Sequence, residues 1–112
     1  MEIVRLEPYS NALKKLNASE AEIIEAEDNI AANPLAGASI AGSARKLRFK
    51  MAGRGKSGGG RLIYYYVALD EMVFLLTVYD KTKKSNLTED DKKAMKKQIK
   101  TLENELRKVR EQ

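Results

Sequence analysis

Lys46, Arg48, Arg61, Tyr79 and Lys81 are the residues whose types and spacing point to chemistry in this 112-residue chain. Lys46 and Arg48 stand two apart on a run of alternating polarity. Arg61 opens a run carrying Tyr64, Tyr65 and Tyr66, and Tyr79 and Lys81 end a third. Cations hold phosphates and rings stack on unpaired bases, so basic side chains interleaved with aromatics suit RNA. Tyr64 and Tyr66 share one strand face and Tyr65 takes the other, so at least one tyrosine belongs to the core, while Tyr79 is expected to be exposed. The chain has no histidine and no cysteine. That removes the usual general base and commonest metal ligand, and with them disulfides, Cys zinc sites and thiol nucleophiles. Any reaction must run on Lys, Arg, Tyr, Ser and carboxylates. No acidic cluster has the spacing of a metal site, so neither a metal nor a cofactor is expected.

Charge is distributed in blocks. Residues 1–28 carry net −4, residues 29–69 carry +7 with no acid among them, and residues 70–112 carry +2, which gives +5 in all. The basic block consists of Arg45, Lys46, Arg48, Lys50, Arg54, Lys56 and Arg61. A basic, acid-free centre beside an acidic flank is the footprint of a protein that docks one face onto phosphates. A merely solvated basic surface accounts for the charge equally well.

Two motif matches in the glycine-rich stretch fail on physical grounds. Gly53, Gly55 and Gly58 fit a dinucleotide fingerprint, but that motif must open a helix, and a tyrosine-rich strand follows here. Gly55, Lys56 and Ser57 resemble the end of a phosphate-binding loop, yet its leading glycine would fall at Lys50. What remains is a hairpin connection from Ala52 to Gly60 in which Arg54 and Lys56 ride on a backbone able to approach a polyanion. The glycosylation-type triplets at Asn17 and Asn86 carry no meaning without a secretory signal.

The elements that must position these residues follow from periodicity and caps. Ile3, Val4 and Leu6 form a brief strand, and a helix begins near Ser10 after Pro8, turning Tyr9, Leu13 and Leu16 to the core. Ser19 with Glu22 predicts a capping box, and the helix it starts runs through Ile23, Ile24, Ala26 and Ile30 until Pro34 stops it. Residues 33–43 read as a loop. Three strands follow, over 44–51, 61–69 and 72–79, as an antiparallel meander covered on one face by the two N-terminal helices and left at least partly open on the other. Thr88 and Asp91 cap a last helix whose Met95, Ile99, Leu102, Leu106 and Val109 form one apolar stripe that reads as core packing, its distal half available to a partner. No window approaches the roughly 20 apolar residues of a membrane span, and no signal peptide begins the chain, so a single cytosolic domain over residues 1–112 is expected.

Over residues 30–100 an ordered set of motifs resembles the RelE/HigB-like toxins of bacterial type II toxin–antitoxin systems, and within them the HigB-type branch. The set is NPLAG, RKLRF, a basic glycine-rich loop, GGRLIYYYV, a DE turn, LLTVYDK and LTEDDKKAMKK. The resemblance implies a small α+β, microbial-RNase-like fold with an antiparallel sheet of three to four strands, two N-terminal helices and a C-terminal helix. It implies an mRNA interferase, an endoribonuclease that cuts mRNA in the ribosomal A site and so inhibits translation. It also implies a cognate antitoxin of the DNA-binding helix-turn-helix type, through which alone the operator DNA is contacted. The sequence departs from the family pattern at Gly42–Ser43–Ala44, where paired glycines are frequent, and at Asp80, an acid beside Lys81.

Such cleavage proceeds by attack of the RNA's own 2′-OH on the adjacent phosphorus and needs no metal. It requires a proton acceptor, stabilisation of charge on the phosphoryl oxygens and an acid for the 5′-oxygen. Arg61 is assigned as the oxyanion stabiliser with Arg48 assisting, Lys81 or Lys46 as the base, and Tyr79 as a stacking or proton-relay group. Arg45, Arg54 and Lys56 join Lys46 as RNA or ribosome contacts. A site without histidine should be a poor nuclease on free RNA, so dependence on the ribosome to position the substrate is physically sensible. The competing readings are a non-catalytic RNA- or ribosome-binding module of the same fold and a protein that acts chiefly through partner docking. Membrane attachment is the weakest reading, because the last helix lacks aromatics on its apolar side.

Overall fold

The computed structural model describes residues 1–40, 42–52, 59–84 and 86–112. Strand β1 (Glu2–Arg5) leads into helices α1 (Glu7–Lys14) and α2 (Glu20–Ala32). Then come β2 (Ala38–Ser39), β3 (Ala44–Phe49), β4 (Gly60–Val67), β5 (Met72–Asp80) and α3 (Glu89–Arg110). The expected capping box at Ser19 and the expected cap at Thr88 both form, the second also as a capping box. The hydroxyls of Ser19 and Thr88 accept from the N–H groups of Glu22 and Asp91, whose carboxylates accept in return from the cap N–H groups. Helix α1 starts at Glu7 rather than near Ser10, because Pro8 sits in the first turn, where a backbone N–H has no helical partner to lose.

The fold is α+β, and its sheet has five strands in the order β1-β5-β4-β3-β2. This corrects the expectation of three to four antiparallel strands. β1 pairs with β5 in parallel, Ile3 opposite Val73 and Val4 opposite Phe74, while Ala38 and Ser39 add a short antiparallel edge to β3 inside the segment read as a loop. The central meander β3-β4-β5 is antiparallel, as hairpins require.

Helices cover both faces. Tyr9 of α1 and Ala26 and Ile30 of α2 pack with Leu62, Tyr64, Val73 and Leu75. On the other face Met95 and Ile99 of α3 pack with Ile63, Tyr65, Phe74 and Leu76, and Leu102 and Leu106 extend the contact. The face expected to stay partly open is therefore roofed by α3 over much of its length, while Val109 at the helix end remains 65% exposed. A latch fixes the first helices to β1: Arg5 pairs with Glu27, which also accepts from the buried Tyr9 hydroxyl at 2.7 Å.

Candidate functional site

Pairing across the meander puts Arg48, Arg61 and Tyr79 in one row, with Arg48 opposite Arg61 and Arg61 opposite Tyr79. Neighbouring strands lie about 4.8 Å apart, so the three side chains leave adjacent points of one face. Lys46 is two residues along β3, opposite Ile63, and shares that face. Tyr79 owes its place to a register shift at Ile63/Tyr64, where Tyr64 faces Leu75 and Ile63 faces Thr77, leaving Leu76 extra on β5. Strict alternation from Phe74 would put Val78 on the α3 face. With the extra residue, Val78 packs with the α1/α2 side and Tyr79 with the α3 side.

Arg48 and Arg61 are like charges in direct cross-strand opposition, an arrangement unfavourable by itself and relieved by an anion placed over both. Arg48 is exposed on the strand surface. Arg61 is only 3% exposed, and its Nη1 donates to the Gly60 carbonyl at 3.0 Å. Burial, and then the charge of Arg48, pushes the Arg61 guanidinium below the usual arginine value, while Tyr79 opposes the shift. Even so, a guanidinium stays charged near neutrality, so this is a partly desolvated cation.

Tyr79 is 9% exposed, which overturns the expectation of an exposed ring. It packs in the same cluster as Met95 and Leu87, and the Lys84 ammonium lies 6.0 Å from its ring centroid. Lys84 is in turn paired with Asp91, the residue that completes the α3 cap. Burial raises the Tyr79 hydroxyl above the ordinary tyrosine range; Arg61 and Lys84 counter this in part and Asp91 adds to it. The hydroxyl is therefore protonated near neutral pH and suited to donating a hydrogen bond rather than taking a proton.

Lys81 lies one residue past the end of β5, and its N–H donates to the Gly59 carbonyl at 3.0 Å. Its neighbour Asp80 is buried and accepts from both the N–H and the hydroxyl of Thr82. Arg45 stands apart from the row. Strand alternation turns it to the α1/α2 face, opposite Tyr64, where it donates to the Gly37 carbonyl at 2.7 Å and holds the loop before β2. Tyr64 braces the same loop by donating to the Pro34 carbonyl and accepting from the Gly37 N–H. Arg54 and Lys56 lie outside the described residues, as do the three glycines of the rejected dinucleotide match. The residues that sequence reasoning missed are Lys84, Asn86 and Lys92 around the start of α3. The only signal in the sequence was the Thr88 cap, which fixes where the helix begins but not what it faces.

Among the described residues no group of three or more Asp or Glu side chains could hold a metal ion. Nor is any helix among them long and apolar enough to cross a membrane. The chain is similar to one in the crystal structure of the intact E. coli RelBE toxin–antitoxin complex, with 17% identity and a TM-score of 0.53 over 69% of this chain and 92% of that one. At that identity the likeness establishes the fold. The family model for the RelE toxin of the RelE/RelB toxin–antitoxin system matches residues 1–110. With nearly every residue inside that match, the chain belongs to the RelE toxin family and is the toxin member of a toxin–antitoxin pair.

Proposed function

We propose that this toxin is a ribosome-dependent mRNA endoribonuclease that stops translation by cutting the message in the A site, and that a cognate antitoxin neutralises it. The observation that supports this best is the row of Arg48, Arg61 and Tyr79 with Lys46 beside it, a charge-dense line of donors on one face of a RelE-family sheet. A scissile phosphate over Arg48 and Arg61 receives two guanidinium groups on its non-bridging oxygens, where negative charge grows as the 2′-oxygen attacks. The 2′-oxygen bonds to phosphorus and its proton passes to Lys46 or Lys81. The bond from phosphorus to the 5′-oxygen breaks, and that oxygen takes a proton, with Tyr79 as the donor. The products are a 2′,3′-cyclic phosphate and a 5′-hydroxyl, and no metal or water enters the step.

Arg54 and Lys56 serve the backbone of message or ribosome through charge. The antitoxin is of the DNA-binding helix-turn-helix type, the toxin reaches operator DNA only through it, and the site of action is the translating ribosome of the cytoplasm. The ordered motifs from NPLAG to LTEDDKKAMKK support the HigB-type branch within the family. The chemistry is tested by end-group analysis of message cut in a bacterial translation extract. The mechanism yields 5′-hydroxyl ends that a kinase labels directly. Ends that need prior dephosphorylation before labelling contradict it.

A further inference from the structure

Lys84 is held at both ends. Its N–H donates to the Asp80 carbonyl at 3.0 Å, closing one turn of chain after β5. The buried Asp80 carboxylate braces that turn by accepting from the N–H and the hydroxyl of Thr82. At the other end, the Lys84 ammonium is ion-paired with Asp91 in the first turn of α3 and lies 6.0 Å from the centroid of the Tyr79 ring. Resting on the endoribonuclease reading above, we propose that Lys84 is a positioning residue of the reaction: anchored by Asp91, it keeps its charge against the Tyr79 ring and so helps the hydroxyl release its proton to the leaving 5′-oxygen.

The gain arises during proton transfer. Before it, the ammonium meets a neutral ring and is attracted only by the ring quadrupole. The bond from phosphorus to the 5′-oxygen then breaks with its electron pair going to that oxygen, and the Tyr79 proton follows. The ring is left as a phenolate, which recovers a proton from water once the product has left. Against a buried phenolate the ammonium faces a full negative charge, so the attraction grows along the reaction, and growth of that kind is what accelerates a step.

The other charged groups around Tyr79 leave this part to Lys84. Arg61 faces the ring from β4, with Arg48 beyond it, and in the mechanism above both hold the phosphoryl oxygens. Lys46 on β3 and Lys92 on α3 border a cavity on one side of the ring. Lys15 on α1 and Lys97 on α3 border a groove on the other side, in which Lys84 and Asp91 also lie. Among the described residues, Lys84 is the lysine whose ammonium lies over the ring. Its charge also opposes the effect of burial on the hydroxyl, whereas that of Asp91 adds to it.

The test uses the full-length protein with Lys84→Met, which keeps the apolar stem and removes the charge, and Lys84→Arg, which keeps a charge. Both are made also in a Tyr79→Phe background, with thermal melts to verify folding. Cleavage is timed on ribosome-bound message. The Tyr79 phenol is followed by NMR titration of protein labelled at the tyrosine Cζ, its resonance assigned by its absence in Tyr79→Phe. We expect Lys84→Met to slow cleavage about fivefold, the scale of one cation–ring contact, and Lys84→Arg to recover most of that loss. With Phe at position 79, Lys84→Met should have no further effect. The Tyr79 phenol should begin to titrate at higher pH in Lys84→Met than in the wild type or Lys84→Arg, because a nearby cation favours the phenolate. Cleavage by Lys84→Met at the wild-type rate overturns the proposal. So does an equal loss with and without the Tyr79 hydroxyl, which would assign Lys84 to the RNA backbone or to the fold. A wild-type protein that cuts nothing overturns the reading on which the proposal rests, whereas a Tyr79 titration unmoved in Lys84→Met overturns the proposal itself, whether or not the protein cuts.

Discussion

Arg61 is the side chain on which the proposed chemistry turns. It is buried and flanked by a second arginine, so replacing it removes a charge that water cannot substitute. Arg61→Ala should lower the cleavage rate in a translation extract by about 100- to 1,000-fold, the loss typical of one preorganised oxyanion donor. Arg61→Lys should fail to restore it, because a single ammonium cannot present two parallel donors to a phosphate. Cleavage by Arg61→Ala at the wild-type rate would remove Arg61 from the mechanism. Tyr79→Phe keeps the ring that packs on Met95 and deletes only the proton donor, so it should slow cleavage while the melting temperature changes little. Strand periodicity was enough to put Lys46 and Arg48 on one face and to set Arg61 near Arg48. It could not reveal the burial of Tyr79, because Tyr79 packs in one cluster with Leu87, which precedes the last helix, and with Met95 on that helix. Arg45 shows the converse: its charge resembles that of its neighbours, but one step of alternation turns it to a different job.

At the scale of elements, the start of α3 is what encloses the site. Thr88 and Asp91 cap the helix, and Asp91 also holds Lys84 near the Tyr79 ring. Thr88→Ala should cost about 1 kcal/mol in urea unfolding, as for other lost caps. The Asp91 carboxylate is held below its ordinary value, first by Lys84 and then by the Thr88 N–H. A depressed carboxylate lends stability above its unfolded value near 3.8, and that stability is lost as pH falls through the folded value. Asp91→Asn should therefore flatten the acid limb of the stability curve; an acid limb as steep as in the wild type would mean that the cap and the Lys84 pair contribute nothing there. Both capping boxes were readable from residue types because they are local. The parallel β1-β5 pair was not, since its two strands come from distant parts of the chain and local pattern carries no record of which strands meet. The shift at Ile63/Tyr64 was hidden for a related reason: the unbroken apolar run Val73–Leu76 does not show where its alternation slips.

For the molecule as a whole, charge and buried phenols set the response to conditions. Burial is the leading cause that raises the hydroxyls of Tyr9, Tyr64, Tyr65 and Tyr79. A raised phenol keeps its proton in the folded state after the unfolded chain has lost it, so the associated stability is complete below about pH 10 and declines as pH rises beyond that. The melting temperature should accordingly fall between pH 9 and pH 11, and less so in Tyr9→Phe, the variant lacking the most strongly shifted of the four. An equal fall in both would exclude Tyr9 as a source. The first 28 residues carry net negative charge and residues 29–69 net positive charge, and within that basic block Lys46, Arg48 and Arg61 share one sheet face. The most direct test of the central claim is primer extension on a reporter message incubated with the purified protein in a bacterial translation extract, beside the same message without ribosomes. The expected result is discrete cuts within the reading frame that disappear when ribosomes are withheld. Intact message in both reactions, or equal cutting in both, would contradict it.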